Sequence, residues 1–202
     1  MKQKQLELML QTIPQPPEPK PMWEQYQTPA TIAADVLYQS YGNGDINAKH
    51  VIDLGCGTGM FAIGAALLGA HLVTAVDIDQ QSIAIAQSQA QKLQVAIDFL
   101  TQPIDQVNVV GDTVIMNPPF GAQKSNLQAD RRFLEKAMAI SSVIYSLHLA
   151  KTFPFLQKMI HANHGIITHM KTYDFPLPHQ FMFHQKTTSN IDVVLLRITT
   201  AK

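Results

Sequence analysis

The sequence consists of short apolar runs that alternate with longer stretches in which apolar residues recur every three or four positions. The short runs predict buried strands, and the recurring pattern predicts amphipathic helices. Strands are predicted at residues 51–54, 72–76, 95–100, 113–116, 142–147, 165–170 and 191–198. Helices are predicted at residues 2–12, from residue 29 to about residue 41, and at residues 60–68, 80–93, 129–139 and 153–162. Because strands and helices alternate through most of the chain, we expect an α/β fold with a mostly parallel sheet and helices on both faces.

A proline-rich stretch separates the first predicted helix from the rest of the chain. Residues 14–21 carry proline at five of eight positions, which is typical of an extended connector, with a disordered leader as the alternative. We therefore expect residues 1–22 to form an N-terminal helix and a connector. Residues 23–202 are predicted to form a single domain, because a chain of 202 residues suits one full core.

The composition indicates a globular chain without a strong electrostatic bias. Apolar residues make up 46% of the sequence, charged residues make up 15%, and the formal net charge is zero. A neutral chain has no overall field that attracts nucleic acid, so RNA or DNA would have to be held by a local patch or a partner. The single cysteine, Cys56, excludes an intramolecular disulfide and favours a reducing compartment such as the cytoplasm.

Signals for targeting, membrane insertion and metal binding are not found in the sequence. We expect no signal peptide, because the N-terminus lacks an apolar core segment. Residues 60–76 are nearly all apolar, but this run is short for a membrane span and contains Gly64, Gly69 and His71. We interpret it as a helix followed by a strand. The histidines and the cysteine have no zinc-site spacing, so no metal is expected.

A glycine loop follows the first predicted strand and reads Asp53-Leu54-Gly55-Cys56-Gly57-Thr58-Gly59. Glycine at alternate positions lets the backbone turn sharply and lets a ligand lie against it. Asp77 ends the second strand, where an acidic residue takes ribose hydroxyls in doubly wound folds. These features predict a nucleoside-bearing cofactor but do not distinguish NAD from S-adenosylmethionine. The spacing is G-x-G-x-G, which weakens the dinucleotide interpretation, and no phosphate-binding Lys–Ser/Thr pair follows.

The fourth predicted strand ends in Asn117-Pro118-Pro119-Phe120. The prolines cannot donate to a strand ladder, so they fix a stiff turn at the carboxyl edge where α/β sheets bind ligands. The Asn117 side-chain carbonyl and the Pro118 backbone carbonyl would accept the two N–H bonds of a planar amine, while Phe120 would stack on its ring. Such positioning suits methyl transfer to nitrogen and favours S-adenosylmethionine. The alternative is a turn that merely closes a core strand.

The sequence resembles a known family from Trp23 nearly to its end. It is similar to the small-subunit ribosomal RNA adenine-N6 methyltransferases of eukaryotes, the methyltransferase-like-five group, and their archaeal relatives. The glycine loop and the Asn-Pro-Pro-Phe turn are general to methyltransferases of amino groups. The resemblance also rests on Glu24-Gln25-Tyr26-x-Thr28, Asp77-Ile78-Asp79, Val143-Ile144-Tyr145-Ser146-Leu147-His148 and Phe183-His184. Of these, the Glu-Gln-Tyr and Tyr-Ser-Leu-His segments are far more specific to this group.

The resemblance implies a Rossmann-like class I S-adenosylmethionine methyltransferase fold with seven strands. Gln25 and Thr28 would close over the methionine end of the cofactor, and Asp77 would hold its ribose. The loop residues that would line its amino-acid portion are Asp53, Gly55, Gly57 and Thr58. Relatives usually have an acidic residue near the cofactor's adenine, and here either Gln102 or Asp105 would replace it. Relatives also use a small zinc-ribbon activator protein, so a similar partner is expected.

Three further residues are candidates for substrate binding. Tyr145 would face the substrate or pack in the core. Phe183 and His184 would stack on a splayed nucleotide, or lie in an exposed loop. The leading hypothesis is an N-methyltransferase that acts on adenine N6 of structured, ribosomal RNA, with the base flipped out of its stack. The alternatives are a glutamine-N5 protein methyltransferase, in which Asn-Pro-Pro-Tyr is commoner, a DNA adenine-N6 methyltransferase, and a non-catalytic cofactor-binding scaffold.

Overall fold

The structure, a computed structural model, describes residues 1–17, 20, 24–120, 128–177 and 189–201. Its helices are α1 (Gln3–Leu10), α2 (Ala30–Gly42), α3 (Met60–Leu67), α4 (Gln80–Lys92), α5 (Ala129–Ile140) and α6 (Phe153–Ala162). Its strands are β1 (His50–Leu54), β2 (Leu72–Asp77), β3 (Asp98–Thr101), β4 (Thr113–Met116), β5 (Val143–Leu149), β6 (Gly165–Leu177) and β7 (Ser189–Thr200). Within these described ranges, every helix falls short of the length and apolar character that a membrane span needs.

In the part of the chain that the structure describes, seven strands form one sheet in the order β3-β2-β1-β4-β5-β7-β6. Strand β1 pairs in parallel with β2 and β4, and the parallel pairing continues outward to β3 and β5. Strand β7 is antiparallel to both neighbours, β5 and β6. The predicted mostly parallel sheet is confirmed. Because the strand order reverses between β1 and β4, the crevice beyond their carboxyl ends is the expected ligand site of such a sheet.

Helices cover both faces of the sheet, as the alternating pattern predicted. Helices α1 to α4 pack on one face, where Leu10, Leu37 and Ile63 are fully buried in a common core. Helices α5 and α6 pack on the other face through Leu134 and Leu156, which are also fully buried. Helix α1 therefore packs in the same core as α2 to α4. The predicted division of the chain into an N-terminal part, residues 1–22, and a domain, residues 23–202, stays a prediction.

Strands β6 and β7 are longer than the sequence predicted. The pairing of β7 with β5 ends at Val193, whereas its pairing with β6 continues to Ser189. The β6–β7 hairpin therefore extends past the carboxyl end of β5, at the edge of the sheet that carries the ligand crevice. The prediction stopped early because residues 171–174 lie on an edge strand and are mostly polar and exposed, so no apolar run marks them.

Candidate active site

A cavity of about 290 Å³ lies at the carboxyl ends of β1, β2 and β4. This volume is close to the lower limit of roughly 300 Å³ that is usual for ligand pockets. Its wall combines residues 24–28, the glycine loop, the end of β2, residues 102–104, the turn after β4 and the first turn of α5. The predicted site residues on this wall are Gln25, Thr28, Gly55, Gly57, Thr58, Asp77, Gln102, Asn117 and Pro119. The structure therefore brings most of them together in one cavity.

The glycine loop bends sharply over the end of β1. Gly55, Gly57 and Gly59 have φ angles of 74°, 52° and 90°, in a region that residues with a side chain rarely adopt. The N–H groups of Gly55 and Cys56 donate to the Val76 carbonyl at 2.8 and 2.9 Å. The loop is therefore fastened to β2, and its backbone forms part of the cavity wall.

Asp77 holds the loop from the side of β2. Its Oδ2 accepts the N–H of Gly57 at 2.7 Å, and its Oδ1 accepts the N–H of Asp79 at 2.8 Å. Burial raises the pKa of Asp77, against these two donors, which lower it. The carboxylate thus lies in the cavity wall beside the loop, where the sequence predicted an acceptor for ribose hydroxyls.

Asp53 lies behind the glycine loop and outside the cavity lining. Its Oδ2 accepts the N–H of Ala62 at 2.8 Å in the first turn of α3, and its Oδ1 has no hydrogen-bond partner within the described ranges. Burial raises the pKa of Asp53 to about 8; the Ala62 N–H opposes the rise, and the charge of Asp77 adds to it. Asp53 therefore joins the loop to the start of α3. It does not line the cavity, although the resemblance had implied that it would.

Residues 24–28, the segment before α2, fold over the cavity and are held there by side-chain hydrogen bonds. The Gln25 amide and the Lys20 ammonium donate to Asp79 at 2.8 Å each. Burial disfavours the charge of Asp79, but hydrogen bonds from Lys20, Gln25 and Ser82 outweigh it and lower its pKa to about 2. Asp79 therefore stays charged at neutral pH and anchors the segment.

Thr58 and Gln27 make a second contact between this segment and the loop. The Gln27 Nε2 donates to the Thr58 Oγ1 at 2.9 Å. The sequence pattern predicts no role for Gln27 or Asp79, although Asp79 ends the Asp77-Ile78-Asp79 segment. Their partners are more than 30 positions away in the chain, so spacing gave no signal for these contacts.

The two ends of the Asn117 amide differ in their hydrogen bonding within the described residues. Its Nδ2 donates to the Thr28 Oγ1 at 3.0 Å, while its buried Oδ1 has no hydrogen-bond partner in the described part of the chain. A buried acceptor without a donor costs about 1–3 kcal/mol. Because Asn117 lines the cavity, this oxygen is a candidate acceptor for a donor on a bound ligand. Thr28 makes this contact instead of capping α2, whose cap residue is Pro29.

Phe120 belongs to an aromatic cluster with Tyr26 and Phe175. The ring centroids of Phe120 and Tyr26 are 4.9 Å apart, and the Phe175 ring lies edge-on to both at 5.8 and 5.9 Å. The Phe120 N–H also donates to the Tyr26 Oη at 3.1 Å. The cluster joins the turn after β4 to the segment before α2 and to the β6–β7 hairpin. Phe120 is only 5% exposed and, like the buried Pro118, is outside the cavity lining.

Tyr145 lies on the opposite face of the sheet from α5, in a buried polar cluster away from the cavity. Its hydroxyl donates to Asp45 at 2.6 Å and accepts from Asn43 and Arg197 at 2.8 and 3.0 Å. The structure therefore favours the core alternative for Tyr145 over the substrate-side alternative. Phe183 and His184, the other two predicted substrate residues, lie outside the described residues.

Gln102 and Asp105, the two candidates for the residue near the cofactor's adenine, have different surroundings. Gln102 lines the cavity, and its backbone N–H donates to the Asp77 carbonyl at 3.0 Å. Asp105 is exposed and accepts from Arg132 at 2.5 Å. Gln102 is thus the better placed of the two to meet a ligand in the cavity, while Asp105 holds α5 through Arg132.

We predict that Asp53→Asn flattens the pH dependence of stability. The folded-state pKa of Asp53 is about 8, above the usual value of about 4 for Asp, so the folded protein keeps a proton that the unfolded chain loses. This difference lowers the free energy of unfolding by about 1.4 kcal/mol per pH unit between those two values as pH rises. Asparagine still accepts the Ala62 N–H but does not titrate. Urea unfolding at pH 5, 6.5 and 8 measures the slopes, and identical slopes for variant and wild type would contradict the assignment.

Comparison with known proteins supports one interpretation of this cavity. Residues 31–141 match the methyltransferase small domain family. The chain is 36% identical to the rRNA N(6)-adenosine-methyltransferase METTL5 of Danio rerio, over 98% of this chain and 99% of that protein. It is 41% identical to an uncharacterized protein of Methanocaldococcus jannaschii, over 98% of this chain and 94% of the relative.

A solved structure agrees with these sequence matches. The crystal structure of a protein of Pyrococcus horikoshii, described as a candidate RNA methyltransferase, superposes with a TM-score of 0.92 at 35% identity and covers 100% of this chain and 99% of that one. This chain is therefore an S-adenosylmethionine-dependent methyltransferase of the methyltransferase small domain family, and within it belongs to the group of the METTL5 rRNA N(6)-adenosine methyltransferases and their archaeal relatives.

Proposed function

We propose that this protein methylates the N6 amine of an adenine in structured ribosomal RNA. The observation that carries the proposal is the Asn117 amide at the cavity: Thr28 holds its Nδ2, and its buried Oδ1 has no hydrogen-bond partner among the described residues. The choice of adenine in rRNA is supported by the relatives, since the METTL5 proteins of Danio rerio and Drosophila melanogaster, at 36% and 32% identity, are named rRNA N(6)-adenosine methyltransferases.

The residues of the cavity fit S-adenosylmethionine. The glycine loop offers a backbone surface, Asp77 a carboxylate beside it, and Gln102 an amide at the third-strand end. We assign Asp77 to the ribose hydroxyls and Gln102 to the adenine amine. Gln25, Thr28 and the loop residues Gly55, Gly57 and Thr58 would surround the methionine end, with Asp53 supporting the loop from behind. When bound, this cofactor supplies a methyl group on a positively charged sulfur.

Asn117 and Pro118 prepare the target amine for transfer. Because Thr28 holds the Asn117 amide nitrogen, the amide oxygen has one fixed direction and does not have to reorganise during the reaction. This oxygen and the Pro118 carbonyl would accept the two N–H bonds of the amine. Both bonds are then drawn to one side, and the nitrogen lone pair is left free to attack. The amine proton becomes acidic only after the nitrogen is alkylated, so no base is needed early.

Phe120 would fix the plane of the target base by stacking on it. In the structure its ring contacts Tyr26 and Phe175 and is 5% exposed. Stacking therefore requires this cluster to open when a flipped base enters. Phe183 and His184 are proposed to contact the RNA, because the β6–β7 hairpin that leads to them extends past β5 at the edge of the sheet with the cavity.

We also propose a small zinc-ribbon activator protein as a partner and the cytoplasm as the compartment. The formal net charge of the chain is zero, so it lacks an overall attraction for RNA that a partner would supply. The single cysteine fits a reducing compartment.

The substitution Asn117→Ala tests the mechanism. We expect methyl transfer to fall by at least about 100-fold, because a preorganised acceptor is lost. Binding of S-adenosylmethionine, measured by calorimetry, should stay close to wild type. Asn163→Ala is the matched control, since Asn163 bonds to a backbone carbonyl at the end of α6 and should leave activity unchanged. Full activity of Asn117→Ala would defeat the mechanism.

A substrate panel tests the assignment to RNA. The purified protein is incubated with labelled cofactor and with total RNA, adenine-containing DNA or a glutamine-containing peptide. We expect label in ribosomal RNA as N6-methyladenine at a defined position, and loss of that mark from cells that lack the gene. Label only in DNA or peptide would support the alternative substrates, and cofactor binding without turnover on any of them would support a scaffold.

Expression with and without a zinc-ribbon protein tests the partner. We expect the chain alone to be less stable and less active than the complex, and zinc chelation to lower the activity of the complex only. A stable monomer with full activity on RNA would contradict the proposed requirement for a partner.

A further inference from the structure

A buried chain of polar groups runs from the end of β5 to the start of α5. The His148 ring lies between the Ser146 Oγ, 2.6 Å from its Nε2, and the Asp130 Oδ1, 2.8 Å from its Nδ1. Ser146 and His148 are fully buried, and the Asp130 side chain is 14% exposed. None of the three lines the cavity, and the proposed mechanism uses none of them.

The direction of the hydrogen bonds follows from the carboxylate. Ionised Asp130 only accepts, so Nδ1 of His148 carries the proton and donates to it. In the neutral ring Nε2 is then the acceptor and receives the Ser146 hydroxyl proton. Every polar atom of the His148 side chain is therefore paired. Charge-assisted bonds of this kind are about twice as strong as bonds between neutral groups, so the link to Asp130 is the stronger of the two.

A catalytic role as a Ser–His–Asp nucleophile does not fit this geometry. The Ser146 hydroxyl is fully buried on the α5 side of the sheet and is turned toward the histidine. A nucleophile has to reach a substrate, and these side chains have no surface on the cavity. The chain of polar groups therefore acts on the structure around the site.

Asp130 belongs to the helix turn that forms one wall of the cavity. Ala129, Arg132 and Phe133 from this turn line the cavity. The Phe133 ring packs so closely on the glycine loop that a Cβ at Gly55 would lie 3.0 Å from its Cε1. A small shift of the first turn of α5 would therefore change the space beside the loop. The exposed Arg132–Asp105 pair holds the outer side of the turn, and the buried His148–Asp130 pair holds the inner side.

We propose that His148 is a positioning residue that fastens the first turn of α5 through Asp130 and so sets the cavity wall against the glycine loop. The proposal rests on the proposed use of this cavity for S-adenosylmethionine. It requires the Asp130 side chain to act as a hydrogen-bond acceptor for Nδ1, and asparagine can supply the same acceptor. Alanine cannot.

The test compares Asp130→Ala with Asp130→Asn in the full chain. Loss of a hydrogen bond to a charged group is expected to weaken S-adenosylmethionine binding by about tenfold in Asp130→Ala, while Asp130→Asn should stay within about threefold of wild type. Calorimetry measures both affinities. Hydrogen exchange of the protein without cofactor supplies a second readout. Amides at residues 131–134 should exchange about tenfold faster in Asp130→Ala only, and those of β1 should not change.

His50→Ala is the matched histidine control. His50 makes a hydrogen bond of 2.9 Å to Thr74, but it begins β1 at the opposite edge of the sheet. Its replacement should leave cofactor affinity unchanged. Wild-type affinity in Asp130→Ala, or equal weakening in Asp130→Ala and Asp130→Asn, would overturn the inference. Failure of the wild-type protein to bind S-adenosylmethionine would instead overturn the proposed function.

Discussion

The amide of Asn117 is the constraint around which the site is organised. Its nitrogen is tied to Thr28 and its oxygen is buried without a donor in the described ranges. Folding usually pairs such an atom, because leaving it bare costs about 1–3 kcal/mol. The fold keeps this oxygen bare at the centre of the sheet, where the strand order reverses and ligands bind. In the mechanism that we propose, this fixed and desolvated acceptor orients the target amine without further reorganisation.

Two distant parts of the chain hold the turn that carries this amide. The segment before α2 supplies Thr28 and Tyr26, and the β6–β7 hairpin supplies Phe175. Both aromatic rings contact Phe120, and Tyr26 also accepts the Phe120 N–H. The segment is in turn anchored by the charged Asp79. The hairpin and the turn are therefore in direct contact through the rings of Phe175 and Phe120.

Local backbone chemistry explains which features the sequence predicted well. Gly55, Gly57 and Gly59 adopt positive φ angles that few other residues tolerate, and two prolines stop β4 at Asn117, so both turns are set by a few adjacent residues. The alternation of apolar runs with helical stretches likewise predicted a mostly parallel sheet. These features depend on neighbours in the chain and can be inferred without knowledge of the tertiary structure.

Contacts between distant residues explain what the sequence did not predict. The resemblance gave Thr28 a role toward the cofactor only, whereas its hydroxyl accepts a hydrogen bond from Asn117, 89 positions away. Tyr145 was left open between core and substrate, and only its pairing beside Arg197 on β7 places it in the buried cluster with Asp45. The outer half of β6 is polar because one edge is exposed, so it had no apolar signal.

A crystal structure with S-adenosylhomocysteine and an RNA fragment whose target adenine keeps both N6 hydrogens would show directly whether Asn117 and Pro118 hold the amine. We expect the N6 nitrogen to lie within hydrogen-bond distance, about 3 Å, of both the Asn117 Oδ1 and the Pro118 carbonyl oxygen. A structure in which the Asn117 side chain points away from the ligand, or in which the adenine lies outside this turn, would contradict it.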